Sequence, residues 1–320
     1  MGVLLDSIKQ TNDIKKIPAE YYDSLAQEIR EFLVEKLSVT GGHLGSNLGA
    51  VELTMALHLA LDLPSDKIVW DVGHQSYTHK LLTGRRDGFD SLRQFGGMSG
   101  FPKRCESDCD CFDTGHSSTS ISAALGLVRA RDLQGGHHTV AAVIGDGALT
   151  GGMAYEALND AAKLTSNLII ILNDNEMSIN RNVGGLSSYL NDIRTSDSYI
   201  HLRDKVYYSI NDRQPKVVDA IRRTKNSIKQ LMIPGMYFED LGITYLGPVD
   251  GHNIHALLRV LQDARRINKC VLVHVVTRKG RGYAPAENHP ARFHGTGPFD
   301  IRTGLPKGQN TRADWTDVFS

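Results

Sequence analysis

Residues 139–147 read Thr-Val-Ala-Ala-Val-Ile-Gly-Asp-Gly, a β-rich apolar run that closes on Gly145-Asp146-Gly147 and leads into helical spacing from about Met153 to Lys163. A strand that passes through a glycine turn into a helix is the unit from which parallel sheets are built. Runs of the same kind recur at Lys67–Trp70, Leu168–Leu172, Ile243–Leu246 and Val271–Val276, with helical stretches between them. The expectation is an α/β protein, a mostly parallel sheet with helices on both faces.

Each run is followed by a polar group. After the first comes Asp71-Val72-Gly73-His74, after the third Asn173-Asp174-Asn175, after the fourth Gly247 to His252, and after the fifth Lys279-Gly280-Arg281-Gly282-Tyr283. In a parallel sheet all of these, with Gly145-Asp146-Gly147, fall on the carboxyl edge, where open α/β sheets bind ligands. Turn chemistry alone explains the glycines but not the recurring His, Asp and Asn.

Gly-x-Gly after a strand is shared with dinucleotide-binding folds, but Thr150 stands where the third glycine would be, and a carboxylate separates the first two. A carboxylate beside a diphosphate is repelled unless a hard cation lies between them, and Mg2+ is the usual ion held by one or two protein oxygens plus phosphates. Asp146 is therefore read as a metal ligand. Asn175, 29 positions on, closes the next strand and offers a neutral oxygen, and the Met177 carbonyl is a candidate third ligand.

The remaining chain sets limits. With 320 residues, 41% apolar, and 36 basic against 36 acidic side chains, it reads as a globular protein with no charge surplus for a nucleic-acid partner. No apolar run approaches the roughly 20 residues that span a bilayer, and Met1 to Lys16 is polar, so a cytoplasmic location is expected. Apolar residues at helical spacing place a helix from Pro18 to Leu37, ended by a Gly-rich turn at Gly41–Gly49. Residues 180–234 read as a polar excursion near the site mouth, which leaves 1–283 as the main domain and 284–320 as a linker or surface segment. Cys105, Cys109 and Cys111 crowd one acidic loop without the paired spacing of a zinc site, so they read as reduced thiols in a variable loop.

Gly-Asp-Gly followed after 25 to 30 residues by Asn resembles the thiamine-diphosphate motif of transketolase-like enzymes. The runs GGHLGSNLGAVELT, WDVGHQSYTHKLLTGRR, DTGHSSTSIS, GDGALTGGMAYEALN, ILNDNEMSI, LGPVDGHN and KGRGYAPAE are similar, in order and spacing, to the 1-deoxy-D-xylulose-5-phosphate synthase family, over nearly the whole chain. The resemblance implies a thiamine-diphosphate-binding fold of the diphosphate-binding (PP) type and Mg2+ at Asp146 and Asn175. It implies diphosphate contacts from Gly147 and Ala148, and cofactor contacts from Gly115, His116, Ser117, His74 and Tyr283, with the Ser117-Ser118 helix start lending free N–H groups. His43, His74 and His294 would serve near the reacting carbon, moving protons near neutral pH. Lys279 and Arg281 are strand-end charges that suit a phosphate, whereas His79 and His252 read as readily as turn histidines and stay outside the candidate set.

The implied reaction joins pyruvate, after decarboxylation, to glyceraldehyde 3-phosphate. In the family it needs a glutamate from a second, pyrimidine-binding domain, and Trp315 to Ser320 looks like that domain's beginning. Two readings follow: half of a split enzyme or a fragment, which needs a separate pyrimidine-domain chain for turnover, or a non-catalytic cofactor-binding relative; the family's dimeric habit implies a homodimer. A split transketolase-like enzyme with another sugar substrate is a further alternative.

Overall fold

The computed structural model describes residues 2–180, 182–195 and 237–307. Most of the excursion expected at 180–234, and the last part of the segment expected as a linker, lie outside the described residues. In chain order the elements are α1 (Val3–Asp6), α2 (Tyr22–Thr40), α3 (Leu44–Gly49), α4 (Val51–Ala60), β1 (Lys67–Trp70), α5 (Tyr77–Leu82), α6 (Ser120–Leu133), β2 (Val140–Gly145), α7 (Asp146–Leu149), α8 (Gly152–Ala161), β3 (Leu168–Asp174), α9 (Gly185–Thr195), α10 (Tyr237–Asp240), β4 (Thr244–Asp250), α11 (Ile254–Arg265), β5 (Cys270–Val276) and α12 (Ala284–Asn288).

The strands form one five-stranded sheet in the order β1-β2-β3-β5-β4, and every pairing is parallel. The α/β expectation therefore holds. Alternate residues of each strand serve opposite faces. Val140, Ala142, Ile144, Ile170, Leu172 and Leu272 pack under α6 and α8, while Ala141, Val143, Ile169, Ile171 and Val273 pack under α4 and α11. Both faces are covered, which is why the strands are continuous Val/Ile/Leu/Ala runs rather than alternating ones. Register then aligns the strand ends: Gly145 pairs with Asn173, and Asn173 with Val275.

Two expectations are corrected. The Gly41–Gly49 stretch is a turn only at Gly41-Gly42, where φ is 71° and 143°; beyond it lies the buried helix α3. Its glycines allow close approach rather than bending, since a Cβ on Gly49 would come within 2.9 Å of the Arg278 carbonyl. The described part of 284–320, residues 284–307, is likewise no loose connector. Phe293 and Phe299 are fully buried in a cluster with Leu37, Leu44 and Tyr77, and Gly42 pairs with Thr296 in an isolated antiparallel bridge. Aromatic residues without periodicity look like a linker in one dimension, yet here they fill the gap beside α2 and α3.

Candidate active site

At the carboxyl edge a cleft of about 310 Å3 is lined by Asp71, His74 and Gln75 after β1, Gly145 to Ala148 after β2, Asn173, Asn175, Met177 and Ser178 at the end of β3, and Lys279 after β5. His43, at the start of α3, Ser117 and His294 also line it, with Ser46, Val72, Phe101 and Ile179. The group after β4 is not among the lining residues, because β4 lies at the sheet edge beyond β5. Its His252 instead donates through Nδ1 to Glu52 and accepts at Nε2 from the Arg278 N–H.

Asp146 is 4% exposed, with Oδ1 accepting from the Gly147 N–H at 2.9 Å. Burial and the neighbouring Asp174 carboxylate push its pKa up to about 8. A buried carboxylate held beside another one is short of positive charge, which is the condition a divalent cation relieves. Asn175 and Met177 line the same cleft, and the Asn175 amide oxygen accepts from the Met177 N–H at 3.1 Å, shaping an oxygen-rich turn. Gly147 must be glycine here, since a Cβ would lie 2.7 Å from the Ser178 Cβ. Glu176 in this turn, and Val72 and Ser118 around the cleft, have φ of 65°, 56° and 69°. Left-handed backbone at non-glycine residues is held only where surrounding contacts over-determine it, and it gathers at functional sites.

The opposite wall is imidazole. Ring centroids of His43 and His74 are 5.3 Å apart, of His74 and His294 5.1 Å, and of His43 and His294 5.9 Å. Asn47 organises two of them: its amide donates to the carbonyls of His43 and His74, each at 2.7 Å, and its oxygen accepts from the Tyr77 N–H. The buried His74 Nδ1 has no hydrogen-bond partner among the described residues. Lys279 Nζ donates to the Ser178 carbonyl at 2.6 Å and to His294 Nδ1 at 3.0 Å. Burial lowers its pKa to about 8.

Burial first, then neighbouring positive charge, depresses all three histidines: His43 and His294 to about 4, His74 to about 3. They are neutral at pH 7 and able both to accept and to donate. Because the unfolded rings titrate near 6.5, the unfolded chain takes up protons first as the pH falls. The histidines therefore subtract stability progressively from about pH 6.5 down to about 4 for His43 and His294 and about 3 for His74. NMR titration of the ring protons should show no imidazolium for these three above about pH 5; a midpoint near 6.5 for His74 would contradict its burial.

Several sequence-predicted residues sit elsewhere. Gly115 and His116 are exposed and do not line the cleft. Tyr283 packs on Phe293 and Phe299, and its hydroxyl donates to the Ile301 carbonyl at 2.7 Å, so it anchors the 284–307 segment. The Ser117-Ser118 helix start is also corrected: α6 begins at Ser120, and the Ser118 and Ser120 N–H groups donate to the buried Asp71 carboxylate at 2.7 and 3.0 Å. The anion those amides serve is the protein's own. The roles of Asn47 and Asp71 are not legible in the sequence, because Asn47 reaches His74 and Tyr77 about 30 residues on, and Asp71 reaches Ser118 and Ser120 almost 50 residues on. The cysteines do not converge: Cys109 Sγ meets Thr11 Oγ1, Cys111 Sγ donates to the Ile68 carbonyl, and Cys105 is exposed. Among the described residues no three His, Cys, Asp or Glu side chains are grouped to hold a metal. His79 is buried between His58 and Asp110, away from the cleft.

A family model described as 1-deoxy-D-xylulose-5-phosphate synthase matches residues 5–277. Relatives of that name from Lachnoclostridium phytofermentans and Natranaerobius thermophilus are 58% and 55% identical over 100% of this chain, which covers 52% and 51% of their lengths. The chain thus spans about half the length of the curated relatives it matches. Transketolases from Campylobacter jejuni and Leishmania mexicana share the fold, with TM-scores of 0.62 and 0.61 at 18% and 19% identity, covering 91% and 93% of this chain and 44% and 43% of theirs. Among the described residues no helix is long and apolar enough to cross a membrane.

Proposed function

The chain belongs to the 1-deoxy-D-xylulose-5-phosphate synthase family, and on that premise we propose that it is the diphosphate-binding half of a cytoplasmic transferase that decarboxylates pyruvate and joins the two-carbon unit to glyceraldehyde 3-phosphate. The observation that carries the reading is Asp146: a buried carboxylate raised in pKa, beside the Asn175 turn, at the carboxyl edge of a parallel sheet.

The residues fit Mg2+ and thiamine diphosphate. Asp146, the Asn175 amide oxygen and the Met177 carbonyl would hold the cation, and the side-chain-free Gly147 with Ala148 would let the diphosphate approach the backbone. When bound, thiamine diphosphate supplies the ylide and the electron sink for decarboxylation. The neutral His43, His74 and His294 would take and return hydroxyl protons at the reacting end. Lys279, still largely protonated at pH 7, would attract the anionic substrates and meet a carboxylate or phosphate by charge. We propose that the half of the relatives' length not spanned here contributes the acid that activates the aminopyrimidine, closes the cleft, and supports a homodimer or a paired-chain assembly. Glu52 is held by Arg30 and His252 and Glu156 is exposed on α8, so neither is placed for that role.

The test is calorimetry and turnover with the 320-residue polypeptide. Thiamine diphosphate should bind only with Mg2+ present, and pyruvate with glyceraldehyde 3-phosphate should give no 1-deoxy-D-xylulose 5-phosphate until a matching pyrimidine-domain chain is added. Absence of Mg2+-dependent binding would reject the site, and rapid turnover by this polypeptide alone would reject the division of labour.

A further inference from the structure

Behind the cleft, the sheet carries polar residues where its pattern calls for apolar ones. On the face that packs under α6 and α8, β3 presents Leu168, Ile170 and Leu172, and β5 presents Cys270 and Leu272. The next residues on that face are Asp174 and His274, exposed by 1% and 0%. With Tyr245 of β4 they form one hydrogen-bonded chain across three neighbouring strands. The Tyr245 hydroxyl donates to His274 Nδ1 at 2.6 Å, and His274 Nε2 donates to Asp174 Oδ2 at 2.9 Å. From the other side Arg194 of α9 donates to Asp174 Oδ1 at 2.8 Å and pairs with Glu176 at 3.1 Å. Replacing buried ion pairs by apolar side chains of similar volume is often neutral or stabilising, so stability alone does not account for this chain. It holds the Asp146 side chain, which is hydrogen-bonded to Asp174, and the turn after β3: Asp174 Oδ1 also accepts from the Glu176 N–H at 3.2 Å, and the Asp174 carbonyl accepts from the Thr277 N–H at 2.9 Å.

We propose that Tyr245, His274, Asp174 and Arg194 are positioning residues, a buried brace that fixes the Asp174–Met177 turn so that the Asn175 and Met177 oxygens face the same cation as Asp146. The proposal rests on the reading of those three residues as the Mg2+ set. Partners of this kind behind metal ligands orient them, and losing one typically costs about 10- to 100-fold in metal affinity.

The brace can be tested without metal. In the metal-free 320-residue chain, His274→Phe should speed amide hydrogen exchange at Glu176 and Met177 by about tenfold or more, as expected for losing one hydrogen bond to a charged group, with little change at β2. His274→Gln, whose amide can replace the Nε2 donor, should restore slow exchange. Tyr245→Phe, which removes one oxygen and keeps the packing, should give a smaller acceleration at the same amides and covers the case in which His274→Phe does not fold. In Mg2+ titrations with thiamine diphosphate the variants should rank in the same order, His274→Phe weaker by about tenfold or more. Unchanged exchange at Glu176 and Met177 in both phenylalanine variants, or a Gln variant no better than Phe, would overturn the brace. Parent-like Mg2+ affinity in Asp146→Ala would instead remove the metal set, a failure that the metal-free exchange data distinguish from failure of the brace.

Discussion

Asp146→Ala is expected to abolish Mg2+-dependent binding of thiamine diphosphate while leaving the fold intact. The side chain lies at the carboxyl edge of β2, and its partners are the Gly147 N–H, the carboxylate of Asp174 and the side chain of Asn182. Removing it takes away a carboxyl group whose ionisation burial and Asp174 both oppose. Stability should therefore change little, or rise. Binding should fall by more than the roughly 10- to 100-fold that loss of a residue behind a metal ligand produces, because the cation would lose its one carboxylate and the diphosphate its bridge to the protein. Calorimetric titration with and without Mg2+ measures the first effect and thermal melting the second. Parent-like affinity in the variant would sink the assignment of Asp146 as a ligand.

The largest loss of stability is expected from Glu52→Ala. Arg30 Nη2 donates to both Glu52 oxygens, at 2.7 and 2.6 Å, and the two side chains are 7% and 6% exposed. His252 Nδ1 adds a third contact at 3.1 Å. Truncation would strand the Arg30 guanidinium on two carbonyls, those of Leu48 and Arg281, and leave the His252 N–H without its acceptor. Breaking a buried pair by removing one partner costs about 3–5 kcal/mol, a large part of the roughly 5–15 kcal/mol that holds a domain folded. The double variant Arg30→Met/Glu52→Leu should lose less than the single one, because no uncompensated charge remains. The pH dependence follows from the sign of the shift. Burial works to raise the Glu52 pKa, but the hydrogen bonds from His252 and Arg30 prevail and lower it. Its contribution is then complete above the unfolded carboxylate value of about 4.3 and disappears as the pH falls through the lower folded value. Urea melts should show a wide gap between parent and Glu52→Ala at pH 7, narrowing below about pH 4. A gap under about 1 kcal/mol at pH 7 would mean that the pair is exposed in solution.

Strand positions, the parallel sheet and the polar edge were legible along the chain, because fully buried parallel strands must be continuous apolar runs and their carboxyl ends must carry the ligand groups. The Asp146 to Asn175 interval was legible for the same reason: one strand-helix-strand passage returns the chain to the same edge. Tertiary structure alone decided which edge residues meet. The β4 group is turned away to Glu52, Tyr283 is drawn into an aromatic cluster, and the Ser118 amide is claimed by Asp71, because each found a partner far along the chain that local pattern does not register. Residues 284–307 belong to the core by shape rather than by periodicity. Likewise Asp174 and His274 look like ordinary strand-end polar residues in the sequence, and become a continuous hydrogen-bonded chain only when β3, β5 and β4 lie side by side. Periodic burial is a local property and can be read in one dimension; hydrogen-bond partnership between buried polar groups depends on strand order, which the order of residues does not state.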